Sequence, residues 1–148
     1  MSTISFFVQG RPSTAGSKTV GHTKAGHHYV RHASKFTKNW MELVRDIAAI
    51  EYKNQPLTTG PIELCLCFFL EHPKSHYRAG KFKHLLKSDA PLLHTIKPDL
   101  TKLVRAVEDA LTGVIWKDDS QVSSACSLKQ YAPFGSKPGV RIIVRSGG

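Results

Sequence analysis

The apolar residues of this chain recur with two different periods. Ile4, Phe6 and Val8 alternate with polar or exposed positions, which predicts a strand over residues 3–9. The stretch Gly10-Arg-Pro-Ser-Thr-Ala-Gly-Ser17 is rich in residues that break regular structure, so a loop follows. Residues 27–31 suit a short strand. Ser34 is a suitable N-cap, and after it Phe36, Trp40, Leu43, Val44, Ile47 and Ala48 follow helical spacing on one face, predicting a helix to about Glu51. Gln55 to Gly60 reads as a loop. Pro61 opens a strand through Leu70 that is apolar on both faces, the pattern of a strand central in a sheet. Residues 71–97 show no clear period and read as a mobile loop or insertion. Leu100, Leu103, Val104, Val107 and Leu111 form a second helical stripe, which Gly113 is placed to end. Val114 to Trp116 reads as a short extended piece. Gln121–Tyr131 and Val140–Arg145 read as two strands joined by the turn Pro133–Gly139.

The order strand, helix, strand, helix, strand, strand predicts an α/β fold: one domain over residues 1–148, a mixed sheet with two main helices packed on it. A length of 148 residues fits one such core. No apolar run approaches the roughly 20 residues of a membrane helix; the longest, Leu64–Leu70, is strand-sized. The N-terminus lacks the basic region and cleavage site of a signal peptide. Three cysteines are an odd, low count, arguing against a disulfide scaffold and for a reducing cytoplasm. The expectation is a cytoplasmic protein with no membrane partner and no small-molecule substrate.

Charge narrows the class further. Twenty-one Lys and Arg face eleven Asp and Glu, a net +10. On a small domain that sign points to a polyanionic partner, most often nucleic acid. Seven cations lie from Arg11 to Arg45 and five more from Lys74 to Lys87, whereas Asp99, Glu108, Asp109, Asp118 and Asp119 crowd into residues 99–119. Acids among phosphate-binding cations are costly unless a divalent cation sits between carboxylate and phosphate, the electrostatic pattern of a magnesium-dependent nuclease.

The candidate chemistry lies in Lys97-Pro-Asp-Leu-Thr-Lys-Leu-Val-Arg-Ala-Val-Glu-Asp-Ala-Leu-Thr-Gly113 and Trp116-Lys-Asp-Asp-Ser-Gln-Val122. Asp99 stands at or just before a helix start, Lys102 and Arg105 follow within two turns, and Asp118-Asp119 arrives on the return. A helix N-terminus and the following loop can bring Asp99 and Asp119 toward one metal. Position alone equally suits Asp99 as an N-cap, and Asp118-Asp119 taken alone suits a polar turn. Glu108 and Asp109 read as helix-surface or structural acids. The loop from Arg11 to Lys24 has the Gly, Ser and Lys content of a backbone that closes over phosphates. His28 and His32 have zinc-ligand spacing and Cys65-x-Cys67 could add sulfurs, but Cys65 and Cys67 lie in an apolar strand and read as small core residues.

These two segments resemble the RusA family of Holliday-junction resolvases, mostly phage and prophage endonucleases. The family signature is a basic residue before Asp-x-Asp-Asn, a helix carrying Lys or Arg that ends near Asp-Ala-Leu, then an aromatic residue with Asp-Asp-x-Gln-Val. Here it is matched by Lys97-Pro-Asp99, Arg105, Asp109-Ala-Leu111, Trp116 and Asp118-Asp-Ser-Gln-Val122. The resemblance implies a homodimer with two active sites that cuts four-way and branched DNA with magnesium, manganese being a substitute. It implies Asp99, Arg105 and Asp119 as catalytic residues and Asp99, Asp118 and Asp119 as metal ligands. Arg11, Lys18, Lys24, Lys97, Lys102 and Arg105 are the expected DNA contacts. It also implies a closing hairpin. The chain departs from the signature at Thr101, where the family usually has its second Asp, and at Lys102, where Asn is common. Glu108 lies two helical turns on, roughly 10 Å away along the axis, a poor substitute for that acid. The alternative is a non-cleaving junction- or DNA-binding protein of the same fold, weakened by Thr101.

Overall fold

A computed structural model describes the backbone of residues 2–14, 19–22, 28–31 and 35–147, and the side chains of residues 2–14 and 39–147. Strand β1 is Ser2–Gln9, β2 Thr19–His22, β3 His28–Arg31, helix α1 Lys35–Tyr52, β4 Ile62–Leu70, α2 Leu100–Leu111, β5 Val122–Tyr131 and β6 Gly139–Ser146. Single 3-10 turns stand at Lys74–His76, Gly80–Phe82 and Asp119–Gln121. The expected N-cap Ser34 and the ring of Phe36 lie outside the described residues. Among the described residues no helix is long and apolar enough to cross a membrane.

The main sheet has the order β1-β6-β4-β5, and β2 pairs with β3 in a separate antiparallel ribbon. β6 is antiparallel to both β1 and β4, and β4 is parallel to β5. The sheet is therefore mixed, as the element order predicts. A parallel neighbour requires a crossover: the chain leaves Leu70, passes through residues 71–99, and runs back along α2 to begin β5 beside the start of β4. The closing hairpin expected of β5 and β6 is not formed, because β4 lies between them. Burial explains the order. Between β1 and β4, strand β6 hides Val140, Ile142 and Val144 almost completely. An edge position would leave one flank of that apolar set uncovered.

One face of the sheet meets both helices. Phe6, Val8, Leu64, Leu66 and Phe68 pack there with Trp40, Val44 and Ala48 of α1 and Leu103, Ala106, Val107, Ala110 and Leu111 of α2. β4 is central, but its second face is open: Glu63, Cys65, Cys67 and Phe69 are half-buried. Cys65 and Cys67 are thus not core residues. Cys65 forms a disulfide with Cys126, its registered neighbour on β5, with Cα atoms 4.7 Å apart, so the chain carries one disulfide where the cysteine count predicted none.

Gly113 ends α2 at φ +84°, the left-handed conformation that glycine adopts freely. Val114–Trp116, expected extended, instead turn: the N–H groups of Val114 and Ile115 both donate to the Leu111 carbonyl at 3.0 Å. The turn folds Ile115 and Trp116 under the helix end, where both are buried. Residues 71–97 are tied down rather than loose. Arg78 N–H donates to Leu85 O and Lys87 N–H to His76 O, while Tyr131 N–H donates to Leu92 O and His94 N–H to Lys129 O. Their short turns and isolated bridges leave no periodic trace in the sequence.

Candidate active site

Helix α2 carries the candidate residues, and its two ends are built differently. Asp99 is the N-cap in extended conformation, but its side chain does not cap the helix. Instead the carboxylate faces Lys102 Nζ at 3.5 Å, with both side chains about half exposed. The approach to Asp99 is held from the sheet: Lys129 of β5 donates from Nζ to the carbonyls of Ile96 and Pro98 at 2.5 and 2.7 Å. Hydrogen bonds from a charged donor are about twice as strong as neutral ones, so Lys129 fixes where the helix begins.

A cleft of about 520 Å³ adjoins this end, lined in part by Arg11, Lys97, His72, His94 and Tyr131. Two expected DNA contacts, Arg11 and Lys97, therefore meet across it. His72 stacks on Tyr131 at 4.5 Å between ring centres and approaches His76 Nδ1 at 2.9 Å. Burial, and then the Lys129 charge, hold the His94 imidazole below its ordinary range; burial and His76 do the same to His72. Both shifts favour the neutral imidazole, so the fixed positive charge on the cleft wall is that of Arg11 and Lys97.

At the C-terminal end, the Thr112 hydroxyl reaches the Glu108 carbonyl at 2.8 Å and makes a short contact with Asp119 Oδ1. It has one proton to give, and the charged oxygen is the stronger acceptor. Trp116 Nε1 donates to the same hydroxyl oxygen at 3.1 Å. Asp118 is spent on the turn: its Oδ1 accepts from Ser120 N–H at 2.8 Å, which holds its carboxyl below the ordinary range. Gln121 completes that turn, accepting from the N–H groups of Lys117 and Asp118. Burial pushes the Glu108 carboxyl up, and the charges of Asp119 and Asp109 add to the push. Glu108 is thus remote from Thr101, as the helix rise predicts, yet it stands beside Asp119.

Thr101, Arg105, Glu108 and Thr112 fall at i, i+4, i+7 and i+11, so one stripe joins the two ends. Thr101 and Arg105 are exposed along it, and Lys102 is exposed beside it. The twelve residues of α2 span roughly 18 Å at 1.5 Å per residue. Asp99 and Asp119 sit at opposite ends of that span and are not brought together within one chain. The link after the helix is too tight to travel back, because Asp119 is already bonded to Thr112. Among the described residues, no three His, Cys, Asp or Glu side chains are grouped to hold a metal ion. The donor chemistry still suits a hard cation at each end, with carboxylate oxygens at both and the Thr101 hydroxyl one residue into the helix. Lys18, Lys24 and His32 lie outside the described residues, as does the side chain of His28, so neither those two lysines nor the zinc spacing has a described geometry; within the expected Arg11–Lys24 loop, Thr19–His22 form strand β2 instead.

Sequence reasoning missed Lys129, Thr112 and the His72–His94–Tyr131 cleft. One signal was readable: Lys129 is the lone charge in Val122–Tyr131. The cleft residues come from three separate segments with no shared pattern.

A basic α/β domain whose cation-bearing helix is flanked by an acid at either end has the residue types that a nuclease uses. The profile of the endodeoxyribonuclease RusA family matches residues 9–145, and the chain belongs to that family. It is similar to the uncharacterized protein YqaN of Bacillus subtilis (strain 168), with 32% identity over 148 residues, covering 98% of this chain and 97% of the relative.

Proposed function

We propose that this protein is a magnesium-dependent homodimeric endonuclease that cuts four-way and other branched DNA by paired phosphodiester cleavage in the cytoplasm of a bacterial host, as a phage or prophage protein. The observation that carries the reading is the Asp99 end of α2 in a chain of this family: a half-exposed carboxylate beside Lys102, next to a cleft that presents Arg11 and Lys97. Asp99 and Asp119, at the two ends of α2, are the carboxylates that would each supply oxygen to a hard cation, and Asp118 fixes the turn that presents Asp119. A divalent cation held by such carboxylates would supply Lewis-acid polarisation of the phosphodiester. Arg105, on the stripe between the two acids, donates to the scissile phosphate and offsets the charge that builds on its oxygens. Lys102, Lys97, Arg11 and the Lys18 and Lys24 loop hold the neighbouring backbone.

The second reading is a chain of the same fold that binds junctions without cutting them. It is favoured by Thr101 at the usual second acid position. One assay separates the two. With magnesium, a synthetic four-way junction yields paired nicks in symmetric strands, and EDTA stops the reaction. Asp119→Asn stops cutting, a loss of roughly 100-fold or more, about 3 kcal/mol. Its binding in EDTA stays intact or tightens, because a negative charge near phosphate is gone. Tight, salt-sensitive junction binding with no product in magnesium or manganese selects the second reading. Asp119→Asn cutting at the wild-type rate refutes the site.

A further inference from the structure

We infer that residues 74–87 form a second DNA-contact surface, which grips the phosphate backbone of the branched substrate apart from the cations of α2 and its cleft. This rests on the DNA-binding half of the function proposed above and does not depend on cutting. From His72 to Ser88 the chain carries Lys74, Arg78, Lys81, Lys83 and Lys87 and no acid. All five side chains are exposed. Among the described residues none of the five is paired with a carboxylate. Like charges gathered in this way repel one another unless a polyanion meets them. A DNA duplex carries about one negative charge per 1.7 Å of its axis, enough to answer five cations on one lobe.

The lobe keeps its shape without a core of its own, since neither of its 3-10 turns buries a residue. Backbone contacts order it. Tyr77 bridges Leu86 in the antiparallel sense, Arg78 N–H donates to Leu85 O at 2.8 Å, and Lys83 N–H donates to Gly80 O at 3.2 Å. Gly80 turns the chain at φ +66°. The root is fixed by rings: His72 stacks on the buried Tyr131, and His76 meets the same ring edge-on at 4.9 Å. That root lines the cleft that also presents Lys97 and Pro98, the residues leading into Asp99. The lobe therefore stands beside the candidate site without being part of it. Arg78 and Lys81 lie 4.8 and 5.3 Å from the centre of the exposed Phe82 ring. The ring holds both cations in place, so less side-chain freedom is lost when phosphates bind. Contacts to phosphate carry no sequence information, so the lobe adds affinity and register rather than base preference.

The test is a salt titration of binding to a synthetic four-way junction in EDTA, where nothing is cut. The variant carrying Lys74→Gln, Arg78→Gln, Lys81→Gln, Lys83→Gln and Lys87→Gln is expected to lose about 0.9 of the slope of log affinity against log salt for each phosphate contact removed, roughly 3–4.5 in all. A loss smaller than one contact, about 0.9, overturns the second surface. If that variant misfolds by circular dichroism, the single changes Lys81→Gln, Lys83→Gln and Lys87→Gln decide, each expected to remove roughly 0.9 of slope. The pair Lys53→Gln and Arg141→Gln removes two charges elsewhere and is expected to leave the slope unchanged. A loss as large as that of the pair Lys81→Gln and Lys83→Gln would assign the effect to net charge and overturn the contact. Phe82→Leu keeps every charge; it should weaken binding about 2–5-fold with the slope unchanged. Unaltered affinity overturns the placing role of the ring. Lobe-dependent binding to vesicles of anionic phospholipid, with an unchanged junction slope, overturns the inference in favour of a lipid surface. A wild-type protein that binds the junction with the lobe-dependent slope and never cuts it refutes the nuclease reading and supports the second surface. Junction binding that is flat in salt overturns both.

Discussion

At the C-terminal end of α2 the Asp119 carboxylate faces Thr112, whose hydroxyl also accepts from the buried Trp116 indole. At the N-terminal end Asp99 faces Lys102 across 3.5 Å of half-exposed surface. The two acids flank the same helix and neither is buried, yet Asp119 is tied to a hydroxyl that also serves a buried indole, whereas Asp99 is paired only with a surface cation. Changing the Thr112 hydroxyl would disturb the buried Trp116 as well as Asp119. A residue held by an exposed ion pair can trade its cation for another, because such pairs contribute little, about 0–1 kcal/mol.

The comparison breaks most readily at Thr112. Thr112→Val removes the donor to Asp119 and leaves the Trp116 N–H buried without an acceptor. The expected cost is about 2 kcal/mol of stability, measured by urea unfolding with an unchanged slope. Lys102→Met at the other end should change stability by no more than about 0.5 kcal/mol, since it breaks only an exposed pair. Similar losses from the two variants would erase the distinction between the two ends.

How much of this could be read in advance depends on the range of the interaction. The apolar stripe from Leu100 to Leu111 and the glycine after it are local signals, and they place α2 and its end. The alternation in β1 and the apolar run of β4 are equally local. The position of β6 is not, because it depends on which flanks of Val140, Ile142 and Val144 find apolar neighbours in β4 and β1, two and five strands away in sequence. The family motif identifies Asp99, Arg105 and Asp119 as residue types at a spacing. The motif reads as one cluster because its residues are close in sequence, whereas twelve helical residues are a rigid spacer. The separation of the two acids was therefore implicit in the helix prediction itself. The carbonyls held by Lys129 and the rings around Tyr131 were not legible, since their partners lie more than thirty residues away along the chain.

Thr101 sharpens the difference between the ends. Thr101→Asp adds a carboxylate to the exposed end, where little else is disturbed. An acid in the first helical turn is favoured by the macrodipole, by about 0.3–1 kcal/mol, and this offsets its repulsion from Asp99. A second charged oxygen strengthens the hold on a hard cation. The variant should therefore reach half-maximal cutting at several-fold lower magnesium, or gain cutting if the wild type has none, with circular dichroism unchanged. An unaltered magnesium titration in a folded protein would mean that Thr101 does not face the metal.

Glu108 offers the finest test, through pH. Its carboxyl is pushed above the ordinary value first by burial and then by Asp119 and Asp109. The folded protein therefore binds the Glu108 proton more tightly than the unfolded chain does. The stability this group contributes is fully present below the ordinary carboxylate pKa of about 4.3 and is lost as pH rises through the folded value. Glutamine keeps the shape and cannot ionise. Glu108→Gln should thus be more stable than the wild type at pH 7, by about 0.5 kcal/mol if like-charge repulsion on a helix surface sets the scale. The advantage should vanish near pH 4, where the wild-type carboxyl is protonated. Thermal melts of both proteins from pH 4 to pH 8 give the difference curve directly. A gain that is the same at every pH would assign the effect to packing. A loss at neutral pH would mean that the Glu108 charge is needed at this end of the helix, and that the acids there are held apart by something other than the Thr112 bond.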